Sequence, residues 1–272
     1  MEWNRLLRMK LSLRAVVGLS SALVCLCVAA EGQTAEDLVA RNIEAKGGMA
    51  NIKAIGSLRK TGRLEVQGIV VLLGSDQKPE NLFRQTSSIQ GMTQIQAYNG
   101  SEGWQINPFQ GRRDPEMMGE DDTREMVENS DFYGPLVDYS KKGSKVEFVG
   151  HAPVDGDDAL LLKVTLKNGD IVNYFLDPDT FLEIRTERQV FVRGSVHETF
   201  NNLGSYKKVN GVYFPFSMES GATRNPGSSV KITYSKIEAN AAIPDSEFNM
   251  PPAGKQPAHA TAGSGETPKP SR

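Results

Sequence analysis

Cysteine is nearly absent from this 272-residue chain, and its two cysteines, Cys25 and Cys27, both sit inside an apolar run spanning residues 15–30. That run follows Arg5, Arg8, Lys10 and Arg14 and ends in Val28, Ala29 and Ala30, the pattern of a cleavable secretory signal. Cleavage is expected near Ala30. The mature chain would then hold no thiol, which excludes disulfides, cysteine-bound metals and thiol chemistry. Long apolar runs are also lacking. The stretch 15–30 falls short of the about 20 residues a membrane span requires, and an uncleaved anchor is the alternative reading. Lipid attachment would need a small residue just before a cysteine, where Val24 and Leu26 stand.

Histidine is scarce as well. His151, His197 and His259 have no second histidine at metal-ligand spacing. Serines are plentiful, but no Gly-x-Ser-x-Gly elbow occurs, and the carboxylates fall mostly in turns. The acidic stretch 155–158 has too few ligands for a calcium loop, and residues 120–128 read as the wet face of a helix. The chain is therefore expected to be no enzyme and to hold neither metal nor cofactor. Removing residues 1–30 takes away four basic residues and one acidic residue, leaving 27 basic against 32 acidic. A net charge of this sign argues against a nucleic-acid partner.

What the sequence does have is strand after strand. Thr34 caps a first helix that carries Leu38, Val39, Asn42, Ile43 and Lys46 at helical spacing and stops at Gly47-Gly48. Residues 49–55 form a second short helix. From Leu58 the period becomes two, with Leu58, Lys60, Gly62, Leu64 and Val66 on one side. Asn99-Gly100, Asn168-Gly169 and Asn210-Gly211 are hairpin turns between such runs. In the stretch 170–218, strand follows turn almost without interruption. There Leu182, Ile184, Thr186, Arg188, Val190 and Val192 alternate with Glu183, Arg185, Glu187, Gln189 and Arg193.

Between about 108 and 140 the alternation breaks, and an insertion with a helix near 121–129 is expected to act as a lid. Past Met250 no large apolar residue remains, and residues 251–272 read as a disordered tail. The folded domain is thus expected over 31–250. About a dozen strands cannot stay flat. The fold class is mainly β (α+β): a long curved antiparallel sheet forming an incomplete β-barrel, covered by an N-terminal helix and a helical lid insertion. So little helix for so much apolar surface predicts a cavity on the concave side.

Expected wall residues are Leu162, Val164, Val172, Tyr174, Leu182, Ile184, Val190, Val212, Phe214, Phe216, Ile232 and Tyr234. Trp104, Met117, Met118 and Phe132 belong in or beside the lid, where methionine suits a variable greasy ligand, with core packing the competing reading for Trp104.

Several segments carry a family resemblance when taken in order. They are Lys46-Gly47-Gly48, Tyr98-Asn99-Gly100 with Gly103-Trp104, Tyr174-Phe175-Leu176-Asp177-Pro178 with Leu182-Glu183-Ile184, and Val209-Asn210-Gly211-Val212-Tyr213-Phe214-Pro215. Together they resemble bacterial outer-membrane lipoprotein-sorting proteins, the LolA/LolB-like periplasmic carriers. The resemblance implies a half-barrel closed by helices, lipid or lipoprotein acyl chains as cargo, and an inner-membrane release complex or outer-membrane acceptor as partner. It also implies a monomeric periplasmic shuttle. A lipid- or lipoprotein-sensing module of an envelope regulatory system, built on the same half-barrel, is the alternative.

Overall fold

The computed structural model describes residues 33–192 and 194–254. The expected signal at 1–30 and most of the expected tail lie outside the described residues. Thr34 caps α1 (Ala35–Ala45) by accepting a hydrogen bond from the Asp37 backbone N–H at 3.1 Å. Gly47 and Gly48, both at positive φ, turn the chain into α2 (Met49–Lys53).

A first run of strands follows: β1 (Leu58–Val66), β2 (Ile69–Lys78), β3 (Leu82–Ile89), β4 (Met92–Asn99), β5 (Gly103–Asn107) and β6 (Arg112–Met117). Helix α3 (Glu120–Asn129) interrupts them. The second run is β7 (Lys145–Val154), β8 (Asp157–Thr165), β9 (Ile171–Leu176), β10 (Glu183–Val192), β11 (Ser195–Val209), β12 (Val212–Ala222) and β13 (Asn225–Ala239).

All thirteen strands form one antiparallel sheet in the order β6-β5-β4-β3-β2-β1-β13-β12-β11-β10-β9-β8-β7. Each run is a meander, because tight turns leave neighbouring strands no other partner. A single non-sequential pairing, β1 with β13, joins the two runs. Strands β6 and β7 remain as free edges, so the sheet is an incomplete barrel. Edge strand β6 carries Arg112, Arg113, Asp114, Pro115 and Glu116, residues that discourage a further strand from adding there.

One correction concerns the insertion. It was expected to begin near 108, but residues 108–111 form a tight turn, with Gly111 left-handed, and β6 then pairs back onto β5. Charge on an exposed edge hides the strand period there, since neither face has to be apolar. The segment without strand is 118–144, which connects the two free edges.

Alternation fixes which side each residue takes. On β8 and β9, Leu160, Leu162, Val164, Val172, Tyr174 and Leu176 pack against Ala35, Leu38 and Val39 of α1 and against Leu136. On β1, β12 and β13, Leu58, Val212, Phe216 and Ile237 pack against Ile52, Ile55 and Val137. On β3 and β4, Phe83 and Tyr98 pack against Met118 and Met126. These residues share one face, since Phe83 sits opposite Gln77 and Gln77 opposite Leu58. It is called the inner face below, and α1, α2 and residues 118–144 form its roof.

The outer face has smaller clusters. Trp104 packs there with Ile95, Ala97 and Ile106, and its indole Nε1–H donates to the Phe248 carbonyl at 2.7 Å. The short helical turn Asp245–Phe248 thereby covers the outside of β3 to β5.

Candidate functional site

One part of the predicted cavity wall is filled. Leu162, Val164, Val172 and Tyr174 touch α1 and Leu136 directly, so no open space separates this part of the sheet from its roof. The irregular segment 130–144 gives more cover than its lack of helix suggests, since its Leu136 and Val137 reach both inner clusters. Val212, Phe214, Phe216 and Tyr234 gather in the second cluster, together with Phe132 of the roof.

Other predicted residues separate from this group. Trp104 faces outward beneath Phe248, and Met117 beside it is exposed. Met118 lies under α3. Ile184 packs outward with Val154, Ala159 and Phe175. A register shift between Glu183 and Arg185 explains that last placement, because one extra residue turns the start of β10 over relative to the rest. Glu183 consequently points inward, where it is buried and accepts a hydrogen bond from Lys46 at 2.8 Å. Leu182 precedes the shift and is half-buried.

Beyond the roofed part, the inner face carries a row that sequence reasoning missed. Val71 sits opposite Leu64, Leu64 opposite Ile232, Ile232 opposite Met218, and Met218 opposite Leu203. Five apolar side chains therefore lie side by side across β2, β1, β13, β12 and β11. All five are half-buried, and none belongs to the packed clusters. One step nearer the roof, Gly62 lies between Leu73 and Tyr234. A Cβ on Gly62 would lie 2.6 Å from the Thr233 carbonyl oxygen and 3.0 Å from the Tyr234 ring, so glycine is what lets β1 and β13 approach this closely. The row was not legible because each residue belongs to a different strand, and only the register aligns them.

The next step along β1 is Lys60, which the two-residue period already places with Leu58, Gly62 and Leu64. It opens into a pocket of about 240 Å³ walled by Ile52, Ile55, Leu58, Phe132, Val137, Val212 and Phe214. Burial, and after it the neighbouring charge of Lys46, pushes the Lys60 ammonium down to about 8.

A second, larger opening of about 550 Å³ lies between α3 and β10 to β12. It is polar: Val190 is walled in by Arg124, Glu128, Arg188, His197, Thr199 and Asn201. Ion pairs tie α3 to the sheet here. Arg124 donates to both oxygens of Asp170 at 2.7 Å, and Arg188 contacts Glu128 at 2.5 Å. Asn168 donates to Glu128 at 3.0 Å and to Asp170 at 2.8 Å. Burial, then the adjacent Asp170, pushes Glu128 up to about 7 against the pull of Arg188. Burial also acts to raise Asp170, but the hydrogen bonds from Glu128 and Arg124 outweigh it and hold that carboxyl below its usual range.

Among the described residues, no group of three or more His, Cys, Asp or Glu is placed to hold a metal, and no helix is long and apolar enough to cross a membrane. His151 stands at the surface, 2.7 Å from Asp158. The arrangement thus offers apolar contact along a row, one cation at its roofed end and an ion-paired flank.

The chain's incomplete antiparallel barrel with a helical roof is a fold it shares with solved structures. No family model matches its sequence, and no curated protein does. The likeness appears in solved structures. A LolA superfamily protein from Nitrosomonas europaea aligns with a TM-score of 0.54 at 13% identity, over 80% of this chain and 98% of its own. A domain assigned to outer membrane lipoprotein sorting, from Vibrio parahaemolyticus, aligns with a TM-score of 0.52 at 13% identity, over 79% and 97%. A DUF1329 family protein from Desulfovibrio piger gives 0.52 at 13% identity with the same coverage.

Proposed function

We propose that this protein binds the acyl chains of a lipid or lipoprotein on the inner face of its half-barrel and carries them through the periplasm toward the outer membrane. The observation behind this reading is the row Val71, Leu64, Ile232, Met218 and Leu203. These five are only partly covered and lie outside the packed clusters, and a contiguous, incompletely covered apolar patch marks an interaction site. A single chain laid across the strands would contact all five, and methionine adapts its shape to differing chains.

Two further facts support it. The Vibrio parahaemolyticus domain, named for lipoprotein sorting, shares the fold. The only cysteines, Cys25 and Cys27, lack the small preceding residue that lipid attachment requires, which favours a soluble shuttle over an anchored acceptor. The segment 118–144 serves as the lid, and its withdrawal would add the pocket beside Phe132 to the row.

Native mass spectrometry of protein purified from a membrane-containing lysate tests this reading. The wild-type chain is expected to carry lipid, and Met218→Asp and Ile232→Asp are expected to lose it. Val149→Asp, at an exposed outer position, serves as the control and is expected to keep it. Equal lipid in all four proteins, or none in any, refutes the proposal.

A further inference from the structure

Lys60 faces the inside of the half-barrel with no carboxylate beside it. Its ammonium lies 5.8 Å from the centre of the Tyr234 ring, and no anion pairs with it among the described residues. The other ions facing the pocket are matched. Lys46, from the end of α1, meets Glu183 at 2.8 Å, and Asp131, from the roof, meets Lys142 at 2.6 Å. Two tyrosines of the wall are covered by other cations: Tyr133 by Lys53 at 3.9 Å and Tyr213 by Lys208 at 5.2 Å. A cation drawn out of water with no counter-ion destabilises the fold that holds it. What is missing is an anion, and the pocket is where one would arrive.

We infer that the natural ligand is a free long-chain carboxylic acid, its carboxylate paired with Lys60 and its chain running past Tyr234 onto the row at Ile232. The inference rests on the acyl-binding reading above and narrows it to one ligand class. The register supplies the path, because Lys60, Gly62 and Leu64 follow one another on the inner side of β1, with Tyr234 and Ile232 opposite the last two. The head-group chemistry follows from what the wall lacks. It has no arginine fork for a phosphate, and about 240 Å³ lies below the roughly 300 Å³ at which pockets for whole drug-sized ligands begin. One unpaired ammonium and a small pocket suit a carboxylate. A lowered Lys60 sharpens the consequence, since the ion pair can form only while the lysine holds its proton.

Calorimetric titration of the full chain with dodecanoate, methyl dodecanoate and dihexanoyl phosphatidic acid tests the inference. Dodecanoate is expected to bind roughly tenfold or more tighter than its ester, the usual scale for a hydrogen bond to a charged group. Lys60→Met should abolish that preference while leaving the ester's affinity in place. The variant removes a partly buried, unpaired charge, so folding is expected to survive, and circular dichroism checks it. Lys60→Arg should restore much of the preference. In the wild type, the preference should fade as pH rises past about 8. Equal binding of acid and ester, or an acid preference that persists in Lys60→Met, overturns the carboxylate inference and leaves the acyl reading standing. Tighter, Lys60-dependent binding of the phosphatidic acid overturns it in favour of a lipid phosphate. If neither dodecanoate nor its ester binds, the acyl reading fails first.

Discussion

Replacing Gly47 with alanine should be among the most damaging small changes in this protein. Gly47 follows α1 at φ +125°, and a Cβ there would lie 2.1 Å from the carbonyl oxygen of Gly211, in the turn between β11 and β12. Hydrogen bonds clamp the approach: the Tyr213 backbone N–H donates to the Lys46 carbonyl at 2.8 Å, and the Asn51 side chain donates to the Gly47 carbonyl at 2.7 Å. Positive φ alone costs an alanine about 1–2 kcal/mol. Forcing backbone away from backbone adds about 1–3 kcal/mol, the scale of overpacking, and the strained Tyr213 bond accounts for about 1 more. The sum is roughly 4 kcal/mol, a large part of the about 5–15 kcal/mol that stabilises a typical domain. Gly68, at φ +78° in the β1–β2 turn, provides the comparison, because nothing lies within 4 Å of its Cβ position. Gly68→Ala should cost only the conformational part. Urea denaturation of both variants measures the difference, expected at about 2 kcal/mol or more in midpoint-derived stability. If Gly47→Ala is no worse than Gly68→Ala, the close approach of α1 to the hairpin is not what holds this corner together.

Two further outcomes follow from the ion pairs. Glu128 is raised to about 7, so between the ordinary carboxylate range and that value the folded protein keeps a proton the unfolded chain has lost. Stability should therefore fall as pH rises through this window, and Glu128→Gln should flatten the fall; parallel urea midpoints for the two proteins across it would refute this. Lys46→Met leaves Glu183 buried without its cation, which should cost about 3 kcal/mol. Pairing it with Glu183→Met should recover most of that loss, and a double variant no more stable than the single one would count against the pair.

The strands could be read from the sequence because their signals are local. Asn99-Gly100, Asn168-Gly169 and Asn210-Gly211 each sit at a hairpin turn, and the period of two runs unbroken through β1, β8, β9 and β12. Faces were legible only where no extra residue intervenes. On β10, the shift between Glu183 and Arg185 moved Ile184 to the outside and brought an acid in to meet Lys46. Nothing in the alternation of that strand announces the shift. The apolar row was harder still, since Val71, Leu64, Ile232, Met218 and Leu203 lie as far as 168 positions apart in sequence (64 to 232) yet share one level of the sheet. Lys60 is the opposite case. Its place in an apolar register was visible from the period alone, and only the lack of a partner needed the structure.

Sequence motifs that look separate can also be two halves of one contact. Lys46-Gly47-Gly48 and Asn210-Gly211-Val212-Tyr213 lie more than 150 residues apart and meet at the 2.1 Å site that excludes a Cβ. This meeting decides which side of the roof yields. Helix α1 is fixed by dry packing of Leu38 and Val39, by the buried Lys46–Glu183 pair and by backbone bonds to the hairpin. Helix α3 is buried only at Met126, and its other ties are polar, among them Arg124–Asp170, Arg188–Glu128 and Asn168–Glu128 at an open polar cleft and Gln77 to the Asn129 carbonyl. Ions that regain water on separation lose less than apolar groups that lose their cover. Loss of the Glu128 proton as pH rises past about 7 leaves a carboxylate beside Asp170 and loosens this side further. The acyl-binding reading therefore requires entry from the α3 side, with α1 as the fixed wall against which the chain is laid.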